Sequence, residues 1–230
     1  IEKEMPILNL MTHVNTSYSK PLFDALGKNL VYIRFCRHPM SKYMLNHNIN
    51  WTKRWEISDR HGYILYKTKD QNSKPINLPF YTKSIEKNYL NSNSTDRAIL
   101  LFDQWIRNSD NFIDKVIKST EATIFEIPYE KFVFQPQTYI KDISLSLGVT
   151  PDKVTNKMMR RQGVPRNSLT EAPKRKFFLR MGCEAPKKNF TLAENFTQGR
   201  AYAAETASPE ALFMLDKLTE DYEERHNISK

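Results

Sequence analysis

Apolar residues in this chain gather into short unbroken runs, separated by stretches in which they recur every three to four positions. Residues 6–11 form the first run, ending at Thr12-His13, and residues 30–36 the second, ending at Arg37-His38-Pro39. Runs this short, closed by polar and turn-forming residues, predict buried strands of a parallel sheet. Between them Lys20–Leu26 sets Leu22, Phe23 and Leu26 at helical spacing behind Ser19-Lys20-Pro21, and Gly27 is placed to stop the helix. Pro39 suits the first turn of a second helix that carries Met40, Tyr43 and Met44 on one face. Residues 51–93 are polar, aromatic and turn-rich, which predicts an irregular insertion or lid. Over 96–119, Ile99, Phe102, Trp105, Ile106, Phe112, Val116 and Ile117 keep helical spacing and predict a long helix. Residues 123–127 predict a third buried strand that breaks at Pro128-Tyr129-Glu130, and 136–147 a helix closed by Gly148. Residues 158–188 read as basic loops, and 209–224 as an amphipathic helix. Strands alternating with helices predict an α/β fold with a parallel sheet, in one domain spanning residues 1–230.

Composition narrows the class. With 40% hydrophobic and 27% charged residues the chain has the profile of a folded globular protein, and no apolar stretch approaches the roughly 20 residues that span a bilayer. A net charge of +9 attracts an anionic partner without saying which. Two cysteines, Cys36 and Cys183, suggest no disulfide framework and no metal site, and point to a reducing, cytoplasmic compartment.

Open α/β sheets place their ligands at the C-terminal ends of the strands, so His13, Arg37 and Tyr129 are the candidate site residues. An arginine at a strand-to-helix turn can grip a phosphate bidentately while the helix N-terminus adds N–H donors, or it can simply pair with a carboxylate. His13 is the side chain best suited to accept a hydroxyl proton near neutral pH, although a lone histidine is more often structural. Tyr129 is a stacking surface for a base or a core-edge residue.

The order of these elements resembles the sulfotransferases that use 3′-phosphoadenosine 5′-phosphosulfate, in their cytosolic and bacterial forms. The stretch 5–14, with Thr12-His13, is similar to the family strand that carries the catalytic base, which implies that role for His13. The stretch 31–39 resembles the family's 3′-phosphate-binding strand and turn, with Arg37 in the place of the phosphate-gripping arginine. Ile127-Pro128-Tyr129-Glu130-Lys131 is similar to a Tyr-Glu-Asp segment, which implies that Tyr129 lies near the adenine. Gln162-Gly163-Val164-Pro165-Arg166 resembles a loop of bacterial members, and Leu179-Arg180-Met181-Gly182 resembles the nucleotide-covering Arg-Lys-Gly loop. The latter implies a second 3′-phosphate contact from Arg180 and a cofactor-binding place for Gly182. The implied fold is a P-loop-type three-layer domain with a parallel central sheet flanked by helices.

Several positions depart from that pattern. Met11 and Met181 stand where the family has lysines, and Leu45 where it has a serine eight residues after the arginine. The glycines at 27, 62, 148, 163, 182 and 199 are isolated, so no loop for the 5′-phosphosulfate is visible, and the N-terminal strand, loop and helix that carry it are expected to precede Ile1. The resemblance implies transfer of a sulfuryl group to a hydroxyl or amine of a small-molecule or carbohydrate acceptor, without a metal, nucleic acid or membrane span. The aromatic residues of 51–93 would wall the acceptor pocket or pack the insertion. The rivals are a basic nucleic-acid-binding module, a P-loop kinase relative and an inactive relative of the sulfotransferases.

Overall fold

A computed structural model describes Asn9 and residues 16–55, 65–167 and 191–228. The run at 6–11, apart from Asn9, lies outside the described residues, as do His13, Arg180 and Gly182. Among the described residues the fold is mixed α/β and mostly helical, with one two-stranded parallel sheet and one antiparallel hairpin. No helix of the described residues is long and apolar enough to cross a membrane.

The first helix, α1, covers Lys20–Leu26 and stops at Gly27, whose φ of 48° lies in the left-handed region that favours glycine. Strand β1 is Val31–Cys36 and pairs in parallel with β4, Thr123–Pro128, in a register that sets Cys36 opposite Pro128. The two strands therefore end at the same edge, and everything between residues 37 and 122 is their crossover.

Helix α2, Lys42–Trp55, starts later than the proline predicts. The amide of Met40, which a helix entered at Pro39 would leave for its first turn, instead donates to His38 Nδ1 at 3.1 Å, and Ser41 N donates to the His38 carbonyl. Residues 38–41 are thus a closed turn, and the helix N-terminus lies beyond it.

The 51–93 region is more ordered than its composition suggests. It holds β2, Leu65–Lys69, paired antiparallel with β3, Pro75–Pro79, and a short helix α3, Glu86–Leu90. Asp70 makes the hairpin turn by accepting from the amides of Asn72 and Lys74. Trp51, Tyr66 and Tyr81 pack against a core of Leu78, Tyr89 and Leu101, so these aromatics fill the insertion. Lysine and asparagine between the apolar residues hid the strand alternation.

Helix α4, Ser94–Ile117, is capped by Asn93, whose side chain accepts from the amides of Thr95 and Asp96. Its Leu101 enters the insertion core, while Ile99 faces a second core with Met40, Leu45, Phe196, Leu215 and Tyr222. Helices α5, Tyr129–Phe134, and α6, Pro136–Ser146, follow β4 directly. The supposed basic loop begins instead as α7, Lys153–Arg161, held by an Asp152 capping box; its remainder past residue 167 lies outside the described residues. Helix α8, Leu192–Ala204, which the apolar pattern does not announce, opens on a Thr191–Glu194 capping box, and α9, Pro209–His226, closes the fold.

Helix α8 packs tightly on the 38–41 turn. A Cβ added at Gly199 would stand 1.7 Å from the carbonyl oxygen of Met40, a contact that only a backbone shift can relieve. Gly199→Ala is expected to destabilise the protein by about 1–3 kcal/mol or more, measured as a lower urea midpoint with unchanged slope. An unchanged midpoint would mean that α8 does not seat there in solution.

Candidate functional site

The paired ends of β1 and β4 bring Arg37 and Tyr129 together, although 92 positions separate Cys36 from Pro128, the pair in register just before them. The Arg37 guanidinium carbon lies 4.4 Å from the centroid of the Tyr129 ring, in cation–π contact. Arg37 Nε is buried and has no hydrogen-bond partner among the described residues. No carboxylate forms an ion pair with Arg37 among the described residues, so the alternative of a simple Arg–carboxylate pair does not describe it.

The neighbouring acid Glu130 is occupied elsewhere. Glu130 is buried, with one oxygen accepting from the His38 amide at 3.2 Å and the other from the Tyr222 hydroxyl at 2.6 Å. Burial pushes the Glu130 carboxyl above its ordinary range, while the Tyr222 hydrogen bond and the Arg37 charge pull the other way. Tyr222 comes from α9 and also donates to the Cys36 carbonyl at 3.2 Å, so it clips the last residue of β1. His38 is fully buried, stacked on Phe196 with ring centroids 3.5 Å apart. Because its Nδ1 accepts from Met40, the proton sits on Nε2 and faces Glu223 at 3.3 Å. The turn after β1 is therefore a rigid mount for Arg37.

Arg166 joins the same ring from 37 positions beyond Tyr129 in the chain. Its Nη1 donates to the Tyr129 hydroxyl at 2.9 Å, and its Cζ lies 5.8 Å from the ring centroid. Sequence reading names Arg166 only as part of the 162–166 loop; its position straight after Val164-Pro165 was the available signal. Glu130 was missed too, although an acid directly behind a strand-ending Pro-Tyr is visible in the sequence.

Along the β1 flank lies a cavity of about 500 Å³, bounded by Arg37, Cys36 and Arg34, by Trp105 and Asp110 of α4, and by Arg225 of α9. It is a charged slot. Arg34 Nη1 contacts Asp110 at 2.7 Å and Glu126 at 2.8 Å, and Arg225 adds a second contact to Asp110 at 2.8 Å. Burial pushes the Asp110 carboxyl up, but Arg225 and Arg34 outweigh it and hold the group below its ordinary value. Burial likewise raises the Cys36 thiol to about 12, which keeps it protonated and unreactive. Cys36, Glu126 and His226 each bring one ligand atom within 4.8 Å of the others, but two guanidiniums already neutralise the carboxylates there.

Of the five residues singled out in the sequence, Arg37 and Tyr129 are thus neighbours, and His13, Arg180 and Gly182 lie outside the described residues. Comparison of the chain with models of known protein families, with curated proteins and with solved structures finds no match.

Proposed function

We propose that this chain binds the 3′-phosphate end of an adenine nucleotide at Arg37 and belongs to a sulfotransferase using 3′-phosphoadenosine 5′-phosphosulfate. The observation that carries the reading is Arg37 itself: a guanidinium at the shared C-terminal edge of two parallel strands, with a buried Nε that has no partner among the described residues. A buried donor left unpaired costs about 1–3 kcal/mol, and an anion at that edge removes the cost. The described residues fit the nucleotide end of the donor. In the wider proposal the parallel pair is part of a three-layer P-loop-type sheet, and His13, Arg180 and Gly182 act as base, second phosphate contact and covering loop on the strength of their motifs. Arg37 and its partners would bind and orient, while the bound donor supplies the sulfuryl group to a hydroxyl or amine acceptor.

Calorimetry with two nucleotides tests the reading. Adenosine 3′,5′-bisphosphate is expected to bind more tightly than AMP, and Arg37→Ala to weaken the bisphosphate at least about tenfold with little change for AMP, since a charge-assisted hydrogen bond is worth roughly 1.5–3 kcal/mol. Equal affinity of the wild type for both nucleotides would rule the site out. Steep salt dependence with no nucleotide preference would favour a nucleic-acid-binding module instead.

A further inference from the structure

We propose that Arg166 is a further cation of this site, additional to the contact that its motif gives Arg180, forming with Arg37 a two-guanidinium clamp for a phosphate monoester dianion, and that Tyr129 is the brace that positions both. The assignment rests on the nucleotide reading of Arg37.

Two guanidiniums beside one ring are an unusual arrangement to leave without an acid. Arg37 lies 4.4 Å and Arg166 5.8 Å from the centroid of Tyr129, and neither forms an ion pair with a carboxylate among the described residues. The ring's quadrupole attracts each guanidinium but offsets only part of the cost of holding two like charges beside it. Glu130 makes no direct ion pair with Arg37, its oxygens accepting instead from His38 and Tyr222. An anionic ligand is the natural counterpart.

Arg166 is also held as a ligand-binding arginine should be. Its backbone N–H donates to the Val133 carbonyl at 2.7 Å, its Nε to the Gly163 carbonyl at 3.1 Å and its Nη1 to Tyr129 at 2.9 Å. Gly163 has φ 66°, a backbone that makes this return possible and that other residues rarely adopt. These bonds fix the plane of the fork and leave the Nη2 donors without a partner among the described residues. A phosphate monoester dianion has three terminal oxygens and can accept from both forks at once; a monoanion gains less from the second cation. Tyr129 then works through its hydroxyl and ring face toward the arginines, so it is a positioning residue and not the stacking surface for the base.

The test uses the whole chain, with adenosine 3′,5′-bisphosphate and AMP as probes. Arg166→Ala is expected to weaken the bisphosphate at least about tenfold and AMP much less. Arg166→Lys keeps the charge but not the fork, and is expected to restore only part of the affinity. Tyr129→Phe removes the acceptor for Arg166 and keeps the ring for Arg37, so a loss smaller than that of Arg166→Ala is expected. Thermal unfolding of each variant separates binding from folding, and Arg166→Lys remains informative if the alanine variant does not fold. Unchanged bisphosphate affinity in folded Arg166→Ala, with Arg37→Ala impaired, would overturn the clamp and leave the nucleotide reading standing. If neither substitution matters, the nucleotide reading itself fails. Full rescue by Arg166→Lys would reduce Arg166 to a diffuse charge and also refute the clamp.

Discussion

Arg34→Met is expected to cost about 3–5 kcal/mol of folding stability, because it removes one member of a buried ion network and strands the rest. The Arg34 side chain is only 11% exposed and bridges Asp110 of α4 to Glu126 of β4. Without it, Arg225 is the remaining guanidinium facing the two carboxylates, at 2.8 Å and 3.7 Å, with His226 3.5 Å from Glu126. Against a typical total of about 5–15 kcal/mol, such a loss shifts the urea midpoint far beyond experimental scatter. Arg34→Lys should recover only part of it, since an ammonium cannot present the same fork to two acids. Adding Glu126→Met to Arg34→Met leaves Arg225 paired one-to-one with Asp110 and should return some of the stability. A single-variant loss below about 1 kcal/mol would show that Arg225 and solvent suffice, as at a surface pair.

The same network sets an acid limit. His226 is held below its ordinary value of 6.5, chiefly by burial, with the Arg225 and Arg34 charges acting in the same direction and Glu126 opposing. A histidine kept neutral by the fold contributes stability above its unfolded pKa, and that contribution falls as pH drops below about 6.5. Asp110, held below 3.8, contributes stability present above that value and lost at lower pH. Stability should therefore decline in two steps on acidification, and His226→Gln should flatten the upper one. An unaltered upper step in that variant would exonerate His226.

Glu130→Ala is the second large effect. It leaves the His38 amide buried without its acceptor and the Tyr222 hydroxyl with only the Cys36 carbonyl at 3.2 Å, and an unpaired buried group costs about 1–3 kcal/mol. A loss of roughly 2–5 kcal/mol is expected, together with weaker nucleotide binding, because the 37–41 turn loses its anchor. Tyr222→Phe removes one of those contacts and should lose less than Glu130→Ala. If Tyr222→Phe equals Glu130→Ala, the His38 contact carries nothing and the turn is held in another way.

Much of the fold was readable from local pattern. The runs at 30–36 and 123–127 are strands, and the helices at Lys20–Leu26, 96–119, 136–147 and 209–224 appear within a few residues, because apolar spacing and end signals act through neighbours in the chain. The hairpin Leu65–Lys69 with Pro75–Pro79 was lost among the exposed Lys67 and Lys69 and the half-buried Asn77. Helix α8 was lost because its helical beat is weak: the residues it buries include Asn195 and Gly199 as well as Phe196 and Ala203.

The candidate site divides in the same way. Sequence alone marked His13, Arg37 and Tyr129, since each follows a predicted strand, and it could name Arg180 and Gly182 only by motif. The tertiary structure decided that β1 and β4 are direct neighbours, that the 38–41 turn displaces the helix N-terminus from Pro39, and that Arg166 reaches Tyr129. It also decided that Arg34, in the middle of an apolar run, meets Asp110 and Glu126 there. Strand order, charge pairing and convergence on one ring depend on residues tens of positions apart, and their energies arise only when the backbone has already brought them within a few ångströms.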